Sequence, residues 1–590
     1  MLKRYFISLL GSLTAIWVSF MLIIVLGMTF AIGSVISSVS SANVKRSLDK
    51  KSILTLDLSG AIDETNTAPD IYSILNNQPL PTSLGDIVCA IKAAATDKKI
   101  EGIYINCNGA TAGIATREAI RDALNDFSNS GKWIIAYGNT YSQGDYYVAS
   151  AADEIYLNPV GGIDLRGLAS GIPFFKGLLD KVGIEMQVVK VGTFKSAVEP
   201  YILTHMSEAN KLQTHVYLDN IWNRICSDIS ESRGISTEEI NQLADNMASL
   251  MPAEDIVEHK LVDGLKYLNE IEDFLKEKTG IDKENELQTV SIREYLSTEP
   301  EIPHTKNSQN KIAVYYACGD ITESGKDGIA SERVVPDILK LAEDNDINAL
   351  VVRVNSGGGS AFASEQIWHA LEVFKDKGKT VFVSMGDVAA SGGYYISCGA
   401  KKIYAEPMTL TGSIGIFGMI PCAKTLLNDK LGVNIDFVET NLNSAGPNIV
   451  EPMDTFQMAR MQAMVERGYD LFTKRCADGR HMPQDSIKAI AEGRVWDGIT
   501  ALKIGLVDEL GSLDNAIEAL AKDMGFAKYE VVEYPKEEND FFGMLMQLNN
   551  QMKTNALKEE LGIYYPAYVH MKNLKDLDPV QARMEVSIIN

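Results

Sequence analysis

The sequence predicts an α/β protein made of two tandem copies of one domain behind a single N-terminal apolar helix. Three observations predict it. First, Lys132–Pro159 (KWIIAYGNTYSQGDYYVASAADEIYLNP) aligns with Lys379–Pro407 (KTVFVSMGDVAASGGYYISCGAKKIYAEP), with Gly138 answering Gly386 and Tyr146-Tyr147 answering Tyr394-Tyr395, 248 positions on. Further pairs follow in the same order: Val182-Gly183-Ile184 with Leu431-Gly432-Val433, Val198-Glu199-Pro200 with Val450-Glu451-Pro452, and Val262-Asp263-Gly264-Leu265 with Val507-Asp508-Glu509-Leu510. Second, both copies alternate strand-length apolar runs with small-residue turns and helical patterns. Third, Lys3-Arg4 precede an uncharged stretch from Tyr5 to Val44.

The N-terminal stretch has an apolar core, Ile16–Ile32, inside a longer hydrophobic run, which is enough to span a bilayer. Ser41-Ala42 makes a poor cleavage site, so the expectation is an uncleaved signal-anchor over residues 1–45. The basic pair stays inside and the rest of the chain goes outward. In a bacterium with two membranes, that places residues 46 onward in the periplasm, anchored to the inner membrane.

The first copy is expected over 46–265. Ile53–Leu58 reads as a strand ended by Gly60, residues 66–84 as a loop, Asp86–Ala95 as a helix and Gly102–Asn106 as a strand. Ser207 caps a long helix that stops near Gly234. Residues 266–311, charged and carrying Pro300 and Pro303, are expected to form a linker. The second copy is expected over 312–528, with a long helix capped by Asp454 and ending near Gly479. The tail, 529–590, has no usable motif beyond a candidate amphipathic segment, Phe541–Met552.

The chemistry concentrates between Val381 and Ile416. A strand enters small residues and then Ser391-Gly392-Gly393, followed by apolar Tyr394-Tyr395-Ile396. This reads as strand, tight turn, helix, with Ser391 where the helix begins and backbone N–H groups aimed at whatever it attacks. A helix N-cap serine beside a Gly-rich turn is the plain structural alternative. Upstream, Leu350–Gly359 (LVVRVNSGGG) runs a strand into three glycines, where an N–H can serve as a second oxyanion donor beside that of Gly392. Downstream, Ser413 lies in Thr411-Gly412-Ser413-Ile414-Gly415. No histidine lies between His369 and His481, so a nucleophilic serine here needs another base, for which lysine is the usual substitute.

SMGDVAASGGYYIS, with RVNSGGGSAFASEQI before it and TLTGSIGIFG after it, resembles the signal peptide peptidase A (protease IV) family in its long tandem form. The resemblance covers nearly the whole chain and implies two tandem domains of the Clp-protease/crotonase-like fold. It implies that Ser391 is the nucleophile, that Ser413 orients the base and that Gly358 and Gly392 supply oxyanion N–H groups. VGTFKSAVEP in the first copy resembles the segment carrying the family's general base, which makes that base Lys195. The family usually has proline where this chain has Gly357. The resemblance further implies short apolar peptides, including cleaved signal peptides, as substrates, a homo-oligomer, and no cofactor.

The copies are asymmetric in a way that fits this. Gln143 stands at the column of Ser391, and the glycine loop is degraded to Asn106-Cys107-Asn108-Gly109. The second copy has no Lys or Arg from Thr440 to Pro452, across from the Lys195 segment. Each copy therefore keeps one half of a site. An ordinary lysine has a pKa of about 10.4, leaving only about one in 2500 neutral at pH 7, so Lys195 must be buried to act as a base.

Composition excludes other classes. The net charge of −23, with no basic stripe, argues against nucleic acid. Seven cysteines without a CxxC pair or Cys/His cluster argue against structural zinc; Cys226 and Cys476, at matching columns, read as buried thiols. No Walker-type loop occurs, so no nucleotide is expected. A crotonase-like acyl-transfer enzyme acting on thioesters and a non-catalytic membrane scaffold remain as alternatives.

Overall fold

In the computed structural model, the described residues are 51–65, 82–301, 308–536 and 580–584, with isolated positions within 11–48 and 554–568. The expected membrane span, the loop after residue 65 and the Phe541–Met552 segment lie wholly or almost wholly outside them. Among the described residues, no helix is long and apolar enough to cross a membrane.

Both copies fold as parallel sheets flanked by helices. The first sheet has seven strands, and its path runs Thr82–Ser83, Ser52–Asp63, Ile100–Thr111, Trp133–Gly138, Glu154–Leu157, Gly264–Leu265. Its central strands are buried along most of their length because helices cover both faces. The second sheet has eight strands built around Lys311–Cys318, Ile347–Ser356 and Thr380–Ala390, all mutually parallel. Its one antiparallel pair joins Leu410–Gly412 to Val495–Asp497.

The long helices end as their sequences direct. Ser207 Oγ accepts from Asn210 N at 3.2 Å, and Gly234 closes Glu208–Arg233 in the left-handed region at φ 63°. Asp454 forms a capping box with Gln457 at the head of Thr455–Arg480. Cys226 and Cys476 are buried in these helices.

Two stretches carry more structure than their sequences suggest. Within 266–311, helix Leu268–Thr279 packs Ile271 and Leu275 on the first sheet, and strand Thr289–Ser291 pairs with Ser52–Asp63. Within the tail, Glu530–Tyr534 adds a parallel strand beside Lys311–Cys318.

A third sheet joins the two copies. Its six strands run Ile329–Ala330, Ile321–Thr322, Gly358–Ser360, Val580–Arg583, Phe417–Cys422, Glu185–Lys190. Glu185–Lys190, from the first copy, lies antiparallel to Phe417–Cys422, from the second, over six residue pairs. The core is shared as well: Ala390, Met408, Leu410 and Val495 are buried in the same apolar cluster as Ile120, Tyr146 and Ile163 of the first copy. Polar contacts reinforce the junction. The Arg353 guanidinium grips both carboxylate oxygens of Glu64 at 2.9 Å, and Thr116 donates through N and Oγ1 to Asp387 at 2.9 and 2.7 Å.

Candidate active site

Ser391 sits between strand Thr380–Ala390 and helix Gly392–Ser397, as the strand–turn–helix reading expects. The strand runs further than its apolar start: after a register shift beside Ser356 it pairs Val388, Ala389 and Ala390 with Leu410, Thr411 and Gly412. The turn is sharp. Ser391 has φ 56°, ψ −113°, a left-handed conformation for a non-glycine residue, held by Ser391 N donating to Gly412 O at 2.8 Å and Tyr395 N donating to Ser391 O at 2.8 Å. This geometry thrusts the hydroxyl out of the sheet end.

Lys195 comes to it from the other copy. Its Nζ lies 2.7 Å from Ser391 Oγ, 3.1 Å from Ser413 O and 3.1 Å from Ser413 Oγ, all within one chain. Ser391 is 0% and Lys195 1% exposed. Burial, with no carboxylate beside it, holds the Lys195 amine well below its usual range. A neutral amine has two hydrogens and one lone pair. With both hydrogens directed at Ser413 O and Oγ, the lone pair faces the Ser391 hydroxyl. That arrangement can take a proton from Ser391 as its oxygen attacks.

The lysine is positioned by residues no local motif announces. A Cβ on Gly493 would lie 2.7 Å from Lys195 N, Cα and Cβ, and one on Gly415 3.3 Å from Lys195 Cδ, so the stem passes between two glycines of the second copy. Phe194 N donates to Glu492 O at 2.9 Å, and Val191 N to Ile416 O at 3.1 Å. Gln213 Nε2 donates to Phe194 O at 3.1 Å and its Oε1 accepts from Val495 N at 3.2 Å, tying the lysine loop to the second copy. Glu199, buried, accepts from Ser207 and Asn210 and anchors the loop's far end. The sequence signal here is Val198-Glu199-Pro200, which reads as a column of the repeat rather than as a support for the lysine.

The two glycines expected as oxyanion donors lie side by side: a Cβ on Gly358 would fall 2.6 Å from Gly392 N. Neither position accepts a side chain, since a Cβ on Gly392 would sit 2.7 Å from Ser364 Oγ. Gly358 N is turned to Ser356 Oγ at 3.1 Å. Its φ of +99° is open to glycine and costly for other residues.

The corresponding position in the first copy is filled. Gln143 Oε1 accepts from Gly167 N and Arg166 N at 3.0 and 3.1 Å, and its Nε2 donates to Gly167 O at 3.1 Å. The buried ion pair of Arg117 with Asp145, at 2.9 Å, occupies the neighbouring space. Among the described residues, no group of three or more His, Cys, Asp or Glu side chains has the arrangement to hold a metal ion.

The pattern of Peptidase family S49 matches this chain twice, over residues 126–282 and 373–527, and that of Clp protease matches residues 320–410. The chain is 35% identical to Protease 4 of Haemophilus influenzae over 84% of its own length and 83% of that protein's. It is 31% identical to the chloroplastic serine protease SPPA of Arabidopsis thaliana, over 80% of this chain and 69% of that one. A putative signal peptide peptidase SppA of Enterococcus faecium is 30% identical over 40% of this chain and 70% of that one. With two family matches and relatives aligned over most of its length, the chain belongs to Peptidase family S49 and is a serine peptidase.

Proposed function

We propose that this peptidase works through a Ser391/Lys195 dyad split between the copies, with 46–265 supplying the base and 312–528 the nucleophile. Ser391 Oγ attacks the scissile carbonyl while Lys195 takes its proton and passes it to the leaving amine. The N–H groups of Gly358 and Gly392 face the developing oxyanion, which requires Gly358 N to leave Ser356 Oγ for the substrate. Water activated by Lys195 then hydrolyses the acyl-enzyme. The observation that carries the reading is the 2.7 Å approach of a buried lysine, lacking any acidic partner, to a serine on a strained turn.

The substrates proposed are short, extended, apolar peptides, cleaved signal peptides among them. The uncharged stretch Tyr5–Val44 behind Lys3-Arg4 supports a membrane anchor with the catalytic part outside, and the name of the Enterococcus relative supports the substrate class.

Ser391→Ala is expected to lower turnover of an extended apolar peptide by at least about 10³-fold while the protein stays folded. Turnover within tenfold of the parent would remove Ser391 from the reaction. For topology, protease added outside the inner membrane is expected to reach the region after Lys45. Full protection of that region until the membrane is permeabilised would place it on the opposite side.

A further inference from the structure

The Gly358 amide, one of the two proposed to meet the oxyanion, is engaged at rest. Gly358 N donates to Ser356 Oγ at 3.1 Å, and the Ser356 hydroxyl donates onward to Gly319 O at 2.6 Å. A serine oxygen accepting from the amide two residues on is a common turn contact. Three features separate this one from an ordinary turn. First, the hydroxyl is fixed from outside its own loop. Gly319 O takes its hydrogen, while Gly319 N donates to Asn355 O at 2.9 Å. Asn355 is held in turn: its Oδ1 accepts from Val388 N at 3.1 Å and its Nδ2 donates to Glu64 Oε1 at 3.2 Å.

Second, Ser356 is buried against the turn that carries the nucleophile. A Cβ on Gly393 would lie 2.6 Å from Ser356 O and 3.4 Å from Ser356 Cβ. One residue thus supports the Gly358 loop and packs under the helix that begins at Gly392. Third, the bond is of a kind that can be exchanged. In the degraded glycine loop of the first copy, Gly109 N donates to Asp145 Oδ2 at 3.0 Å, and Asp145 Oδ1 is paired with Arg117 at 2.9 Å. That buried carboxylate is a strong acceptor and keeps its amide. Ser356 offers a neutral oxygen instead. Its hydrogen stays on Gly319 O when the amide leaves, so the exchange strands no buried donor. The φ of +99° at Gly358 gives the loop the freedom of glycine.

We propose that Ser356 is a positioning residue of the oxyanion hole. Its hydroxyl holds the Gly358 amide while no substrate is bound and passes it to the oxyanion as Ser391 attacks. The inference rests on the Ser391/Lys195 reading. Without the hydroxyl, the buried amide loses its resting partner. The turn is three consecutive glycines, Gly357-Gly358-Gly359, whose peptide groups then rotate toward other acceptors. The oxyanion meets the Gly392 amide alone. The charge on that oxygen exists only after attack, so the loss falls on kcat rather than on KM.

The test is Ser356→Ala in the purified, detergent-solubilised full chain, beside the parent and Ser391→Ala. Three probes of one apolar sequence are used: an extended peptide substrate, the peptide aldehyde and the peptide alcohol. Ser391 Oγ bonds to the aldehyde carbon, Lys195 takes the hydroxyl proton, and the carbonyl π pair moves onto oxygen, which becomes the oxyanion. The alcohol cannot add and reports binding alone. Ser356→Ala is expected to lower kcat by at least about tenfold with KM within about threefold, part of the cost of losing one oxyanion donor. Aldehyde affinity is expected to fall by a similar factor and alcohol affinity to hold. If the alanine variant does not fold, Ser356→Cys, similar in size with a weak acceptor, takes its place under the same expectations. A kcat within twofold of the parent or above it, or equal losses for aldehyde and alcohol, overturns the inference and leaves the dyad standing. Ser391→Ala turnover within tenfold of the parent overturns the dyad reading and this inference with it.

Discussion

In the proposed dyad Lys195 is the residue on which the chemistry turns, and its burial sets a pH dependence. Burial without a counter-charge disfavours the ammonium form, so its folded pKa lies well below the ordinary lysine value. Below that folded pKa the amine is protonated and has no lone pair for Ser391; above it the base is available. Peptide turnover therefore rises with pH through the depressed pKa. Stability follows the same sign. Between the folded pKa and the unfolded value of about 10.4 the unfolded chain binds the extra proton, so stability rises with pH across that window and falls on acidification. Ser391 and Lys195, the residues of the proposed dyad, were singled out in sequence by the family resemblance, and the repeat agreed with it: Gln143 at the serine column and the missing lysine after Thr440 marked each copy as half a site. Gln213 was not legible, because its value lies in a bond to Val495, 282 positions away, and Glu199 was visible only as a column of the repeat.

The elements that bring Lys195 to Ser391 are the antiparallel ladder between Glu185–Lys190 and Phe417–Cys422 and the turn at Gly493. Gly493 has φ +77°, and a side chain there would press on the lysine backbone. Gly493→Ala is expected to displace the amine and cut kcat about 100-fold, a typical cost of a displacement near 1 Å. Gly378 provides the control: it shares the backbone strain at φ +79° but has open space around it. Gly378→Ala is expected to leave turnover within about twofold, and equal losses in the two variants would attribute the effect to backbone strain alone. At this scale the sequence pattern was readable where strands and caps are local, as at Ser207 and Asp454. It failed for Thr289–Ser291 and Val580–Arg583, short strands whose pairing depends on partners far along the chain.

For the whole molecule, the two copies are not independent units. They share an apolar core, a six-stranded sheet and the buried Glu64–Arg353 pair, and each contributes part of the site. The tandem arrangement and the α/β class were evident from the repeat, whereas the sheet shared between copies was not, since no residue pattern specifies which edge strands meet. Separating the halves would expose that shared core, so the division of the site is better tested by one substitution in the intact chain. The measurement is the pH profile of kcat/KM for an extended apolar peptide, in the parent chain and in Lys195→Arg. The parent profile is expected to climb with pH to a plateau below the ordinary lysine range, and the arginine variant to show no turnover at any pH, because guanidinium stays charged. Arginine-variant activity within tenfold of the parent, with the same rise in pH, would contradict it and require another base for Ser391.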